Sequence, residues 1–176
     1  MITKNEENTC LWRILFRKTT FGKYLSSKLK INHYDLDEIH WLPGWNISSD
    51  EVFENKLNTI VKKEQWIITG NYFSRQDSVI NYCDTVIYLK IGFITRLYRA
   101  FIRGIARSIT KNEVCNGNYE TFSRNFFSKD SLLLYIIKTR KIFDKKIQNI
   151  KSMYADKSWI ILSSSKEIKN YESNFS

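Results

Sequence analysis

The chain has 176 residues, 43% hydrophobic and 15% aromatic, with one proline, six glycines and a formal net charge of +10. The aromatic share and the scarcity of proline exclude disorder and a Gly-rich all-β architecture, and the length suits one domain with a substantial core. No run reaches the roughly 18 apolar residues that span a bilayer, and the opening MITKNEENTC is too polar and too mixed in charge for a secretory signal.

In chain order, residues 11–16 (LWRILF) predict a strand, and 20–30 a helix with Phe21, Tyr24, Leu25 and Leu29 on one face. A second strand ends at 34–36. After Ser48-Ser49-Asp50 comes a helix with Val52, Phe53, Leu57, Ile60 and Val61 inside, and Ser49 is its expected N-terminal cap. Apolar runs at 66–68, ended by Gly70, at 85–89 and at 159–162 predict three more strands. Long helical patterns cover 93–109 and 130–150, with a polar loop at 111–119 between them. All five strands are short, apolar and β-branched or aromatic without clean alternation, as buried parallel strands are. The helices between them supply the crossovers such a sheet requires. The expectation is a three-layer α/β domain.

Cys10, Cys83 and Cys115 are odd in number and widely spaced, which fits reduced thiols in a cytoplasmic protein. Neither they nor His33 and His40 show the spacing of a zinc site. The charge of +10 calls for an anionic partner: nucleic acid, a membrane surface or a polyphosphate.

In an open α/β sheet, ligands bind beyond the carboxyl ends of the strands, and three motifs fall there. Lys18-Thr19-Thr20 follows the first strand and reads as the end of a phosphate-binding loop, G-x-x-x-x-G-K-[ST], with Trp12 and Arg17 at its glycine positions. Lys18 is placed as a point charge on the terminal phosphates and Thr19 as a Mg²⁺ ligand, although the same three residues also suit an ordinary basic helix start. Asp35 and Asp37 follow the second strand on one side, with Trp41, Gly44 and Trp45 beyond them. Asp37 is suited to orienting an acceptor hydroxyl or to assisting Mg²⁺. Asp35 can instead act as a cap or ion-pair partner, and the two tryptophans form either a wall for a flat ring or a plug under the loop. Gly70-Asn71-Tyr72 and Arg75 follow the third strand. Arg96, Arg99, Arg103 and Arg107 then share one helix face, where an anion would relieve their repulsion unless water does so.

Taken together, HYDLDEIHWLPGW (33–45), WIITGNY (66–72) with Arg75, DTVIYL (84–89) and the arginine helix resemble the small bacterial P-loop kinases known as adenylate-kinase-like or topology-modulation proteins, over residues 18–162. The later NGNYETF and FFSKDSLLLYIIKTRK resemble one branch of that family. The resemblance implies a P-loop NTPase fold of the nucleoside/nucleotide-kinase type, with a five-stranded parallel sheet in the order 2-3-1-4-5. It implies one domain over 1–176, an arginine-rich helical lid near 93–128, and transfer of a phosphoryl group from ATP with Mg²⁺ to a small nucleotide- or nucleoside-like acceptor. By position, Lys18, Thr19 and Thr20 match the P-loop, with Thr19 on Mg²⁺, and Arg103 and Arg107 join them on the nucleotide. Asp35, Asp37, Trp41, Gly44, Trp45, Gly70, Asn71, Tyr72 and Arg75 match the acceptor side, and Lys18, Asp37, Arg99 and Arg103 the catalytic set. The partners expected are a nucleotide and a small acceptor, without a membrane.

The chain departs from the family's pattern at Trp12 and Arg17, at Thr69 and Lys90 where acids are usual, and at Gly92 where proline is usual. Drift toward a non-catalytic binding or regulatory module, or a local change of reading frame across residues 10–17, would account for the missing glycines. A basic nucleic-acid-binding protein is the further alternative that the charge leaves open.

Overall fold

Two segments, Trp66–Gly70 and Thr85–Leu89, are buried at every position, with no polar-apolar alternation. A strand of this kind has both faces covered, and this pair lies within the sheet. The computed structural model describes residues 8–12, 18–70, 77–111, 113–126, 128 and 131–175, with the backbone alone at 8–12, 18, 124 and 141. The elements are β1 (Asn8–Trp12), α1 (Lys18–Leu29), β2 (His33–Asp35), α2 (Leu36–His40), β3 (Trp41–Leu42), β4 (Asn46–Ile47), α3 (Asp50–Val61), β5 (Trp66–Gly70), α4 (Asp77–Ile80), β6 (Thr85–Leu89), α5 (Phe93–Thr110), α6 (Phe122–Phe126), α7 (Leu132–Met153), β7 (Ser158–Leu162) and α8 (Ser165–Ser173). Five strands form one sheet in the order β2-β5-β1-β6-β7, every pair parallel, and β3 and β4 make a small antiparallel hairpin.

Alternate residues of the central strands feed two cores. On one face Trp66, Ile68, Val86 and Tyr88 meet Phe53, Leu57 and Ile60 of α3 and Phe143, Ile147 and Ile150 of α7. On the other, Ile67, Ile87 and Leu89 meet Phe21 and Leu25 of α1 and Ile168 and Tyr171 of α8. The result is helix, sheet, helix in three layers. Ser49 caps α3 as expected, its hydroxyl accepting from the Val52 amide at 3.3 Å. Val52 itself is 43% exposed rather than inside, because Phe53, one residue on, takes the core-facing position.

Two boundaries differ from the sequence expectation. The first strand takes in Asn8, Thr9 and Cys10 ahead of the expected start at Leu11, and residues 13–17 lie outside the described residues. Parallel pairing sets that register, with Asn8 to Trp12 aligned against Trp66 to Gly70. β2 stops at Asp35 rather than Leu36: the Asp35 carboxylate accepts from the Asp37 amide, so the chain turns there into α2.

Candidate active site

β1 lies between β5 and β6, and the chain leaves its carboxyl end through residues 13–17 to enter α1 at Lys18. That is the crevice position at which doubly wound sheets bind ligands. The Thr19 hydroxyl donates to Asp35 Oδ2 at 2.6 Å, and Asp35 Oδ1 accepts from the Asp37 amide at 3.1 Å. One carboxylate therefore ties the first turn of α1 to the first turn of α2. Asp35 thus acts as a cap of α2 and as the acceptor for the Thr19 hydroxyl. Thr20 and Asp37 are exposed. The Lys18 side chain, Arg17, Asn71, Tyr72 and Arg75 lie outside the described residues.

Below this point α1 approaches the sheet closely. A Cβ at Gly22 would lie 2.6 Å from Thr69 Cγ2 and 2.8 Å from His33 Cδ2 and Nε2. Gly70 has the same need, since a Cβ there would meet Leu36 at 2.5 Å. Thr69, fully buried, is hydrogen bonded to His33 Nε2 at 2.9 Å, so the residue standing where the resembled family carries an acid closes a neutral pair. Burial holds the His33 pKa below its ordinary value of 6.5; Asp35 opposes this and Lys23 adds to it. The unfolded chain therefore binds the extra proton. Stability is full above about pH 6.5 and declines as pH falls through the lowered folded value. Thermal melts in mildly acidic buffer should show this loss, and His33→Gln should flatten that part of the profile.

The arginines of α5 do share one face, but they meet different partners. Arg96 is 3% exposed. Arg99 Nη2 donates to Ser165 Oγ at 3.0 Å, at the start of α8. Arg107 forms an ion pair with Glu120 at 2.6 Å. Burial lowers the Arg103 pKa to about 10; Arg107 contributes in the same direction, while Glu120 and Asp37 act oppositely. The field of Asp37 also reaches Cys115 and Tyr135: burial, then Asp37, pushes the Cys115 thiol up to about 11, and the same two causes raise Tyr135. Asp37, Arg103, Arg107, Cys115, Glu120 and Tyr135 thus converge from α2, α5, the 111–121 arm and α7.

That arm is fastened to the loop carrying the tryptophans. Asn118, 2% exposed, donates to the Leu42 carbonyl at 2.9 Å and accepts from the Trp45 amide at 2.7 Å. Asn116 Nδ2 donates to the carbonyls of Glu38 and Trp41, both at 2.7 Å, and Trp45 Nε1 donates to the Tyr119 carbonyl at 3.2 Å. Gly44 at φ 74° and Trp45 at φ 61° form the sharp turn these bonds hold; the second is strained for a bulky residue. Trp41 and Trp45 pack edge to face with ring centroids 5.5 Å apart. They serve as part of the fastening, a role the sequence reading did not assign. Residues 111–119 were legible there as a polar loop, but the side-chain partners of Asn116 and Asn118, more than 70 residues away, were not.

A cavity of about 660 Å³ opens at the carboxyl ends of β6 and β7, lined by Lys90, Phe93, Arg96, Arg140, Asp144 and Ser163 among others. The Arg140 guanidinium lies 5.5 Å from the Phe93 ring centroid, and Asp144 accepts from the Tyr88 hydroxyl at 3.0 Å. Lys90, at another position where the resembled family carries an acid, adds positive charge to this wall.

Among solved structures, the crystal structure of shikimate kinase from Bacteroides thetaiotaomicron matches with a TM-score of 0.51 at 14% identity, over 96% of this chain and 95% of that one. The fold is P-loop-kinase-like. A sugar kinase from Janibacter sp. also matches, with a TM-score of 0.46 at 14% identity, over 96% of this chain and 88% of that one. No family model and no curated protein matches the chain.

Proposed function

We propose that the chain is a nucleotide-binding P-loop phosphotransferase of the adenylate-kinase-like type, acting over residues 1–176 as one domain with its lid in 93–128. The observation that carries this reading is the 2.6 Å bond between Thr19 and Asp35 at the N-terminus of the helix that follows the central strand. It gathers a hydroxyl and a carboxylate at the first turn of a helix, where a phosphate with a hard cation is favoured. The strand order β2-β5-β1-β6-β7, read as the nucleoside-kinase order, and a cavity of small-molecule size on the same edge of the sheet support it.

In this reading Thr19 and Asp35 would hold Mg²⁺ beside the phosphates, where the ion, when bound, supplies charge neutralisation. Lys18, Arg99 and Arg103 balance the charge spread over the moving phosphoryl oxygens, with Thr20 and Arg107 beside the nucleotide. Asp37 orients the acceptor hydroxyl. Trp41, Gly44, Trp45, Gly70, Asn71, Tyr72 and Arg75 frame the acceptor, a small nucleotide- or nucleoside-like molecule.

Trp12 ends β1 where the loop's first glycine would stand, and a bulky residue there restricts close backbone approach to phosphate. That observation favours a second reading, a module that binds nucleotide without transferring it. Calorimetry with Mg-ATP tests both. Micromolar binding that Lys18→Ala weakens by roughly a hundredfold is expected. Binding without ADP formation when nucleoside and nucleotide acceptors are supplied supports the second reading, and no binding by folded protein removes both.

A further inference from the structure

Helix α5 is turned inside out. Arg96 on its inner face is 3% exposed, whereas Ile94 is 80%, Tyr98 65%, Phe101 45%, Ile102 46% and Ile109 74% exposed. At about 100° per residue, these five side chains fall within an arc of about 100°, and the ridge they form runs about 22 Å along the helix. No charged residue interrupts it. Scattered surface apolar residues are ordinary, but a contiguous patch of several hundred Å² marks a contact surface.

The surrounding charge selects the occupant. No acidic residue occurs between Asp84 and Glu113, exposed Lys111 follows the C-terminal end of the ridge, and the chain carries +10. A second copy would bring an equally positive body against it. The five side chains offer on the order of 500 Å², short of the roughly 800 Å² each partner contributes to a standard interface. An anionic bilayer asks less, because a few inserted apolar side chains and adjacent cations suffice for peripheral binding.

We propose that the outer ridge of α5 docks on the surface of anionic lipid bilayers. Ile94, Tyr98, Phe101, Ile102 and Ile109 enter the boundary between headgroups and acyl chains, and Lys111 engages the headgroup phosphates. The arginine face of the same helix stays turned toward the candidate site, so the docking surface stands independently of the kinase reading.

Co-sedimentation of the full chain with phosphatidylglycerol-containing vesicles, compared with pure phosphatidylcholine vesicles, tests this. The expected result is at least roughly tenfold stronger partition to the anionic vesicles. Ile94→Ser with Ile109→Ser should reduce it by about tenfold or more while leaving circular dichroism unchanged. Equal partition to both vesicle types, or undiminished binding by that double variant, overturns the proposal. A dimer seen by light scattering that the same variant dissociates also overturns it, by assigning the ridge to a second copy.

Discussion

Gly22→Val is expected to leave no folded protein, and Gly22→Ala to lower stability by about 2–3 kcal/mol. Helix α1 crosses β2 and β5 so closely that a single added carbon would sit 2.6 Å from Thr69 and 2.8 Å from the His33 ring. Neither neighbour can yield easily. Thr69 is fully buried on β5, whose ladder bonds run to β1 on one side and β2 on the other, and its hydroxyl is bonded to that same imidazole. Relief would require α1 to lift, which pulls Phe21 and Leu25 out of the second core. Against a total stability of about 5–15 kcal/mol, alanine is survivable and valine is not. Urea unfolding measures the alanine variant, and Thr69→Ser in that background should recover about 1 kcal/mol by removing the nearest methyl. A Gly22→Ala protein as stable as the parent would mean that α1 does not pack where it is described.

Asn118→Leu is the second large effect, and a local one. The change leaves the Trp45 amide and the Leu42 carbonyl without their buried partner, at about 1–3 kcal/mol each. It also releases a turn that holds Trp45 at positive φ. The arm should then separate from the tryptophan loop while the sheet remains intact. Cys115 reports this, since its thiol is 8% exposed and its pKa of about 11 keeps it almost wholly protonated while the arm is down. Alkylation mapped to Cys115 should accelerate at least tenfold in the variant. Cys83, fully buried in the main core, should stay protected. Equal acceleration at Cys83 would mean global unfolding instead, and Asn118→Asp, which keeps the acceptor and loses the donor, should fall between the two.

The interior of the fold was legible because buried strands and amphipathic helices announce themselves. The β-branched runs of β5 and β6, the Ser49 cap and the Phe53, Leu57, Ile60 stripe of α3 all follow from residue type and spacing. The first strand was harder to bound. LWRILF is the more apolar run, yet the ladder against β5 also takes in Asn8, Thr9 and Cys10, which strand pairing rather than hydrophobicity places in the sheet. The second strand ends at Asp35 rather than Leu36 for a similarly non-local reason: Asp35 caps α2 while also accepting from Thr19, 16 residues earlier. At the candidate site, the sequence pointed to the arginine face of α5 but not to the separate partners Ser165 and Glu120. The fastening of Asn116 and Asn118 to the 38–45 loop depends on side-chain to backbone bonds across more than 70 residues. Such bonds leave no periodic trace in composition or spacing.

The central seat of β1 governs the order in which the molecule can assemble. Its five residues come first among the strands, yet both of its ladder partners lie far downstream, at 66–70 and 85–89. During synthesis at roughly 5–20 residues per second, the segment waits about 3–12 s before β5 exists to receive it. Until then the nascent chain can form only local structure such as α1 and α3, and the sheet cannot grow outward from its first strand. It must close around a strand made early and placed late, a topology rich in long-range pairings and correspondingly slow to fold.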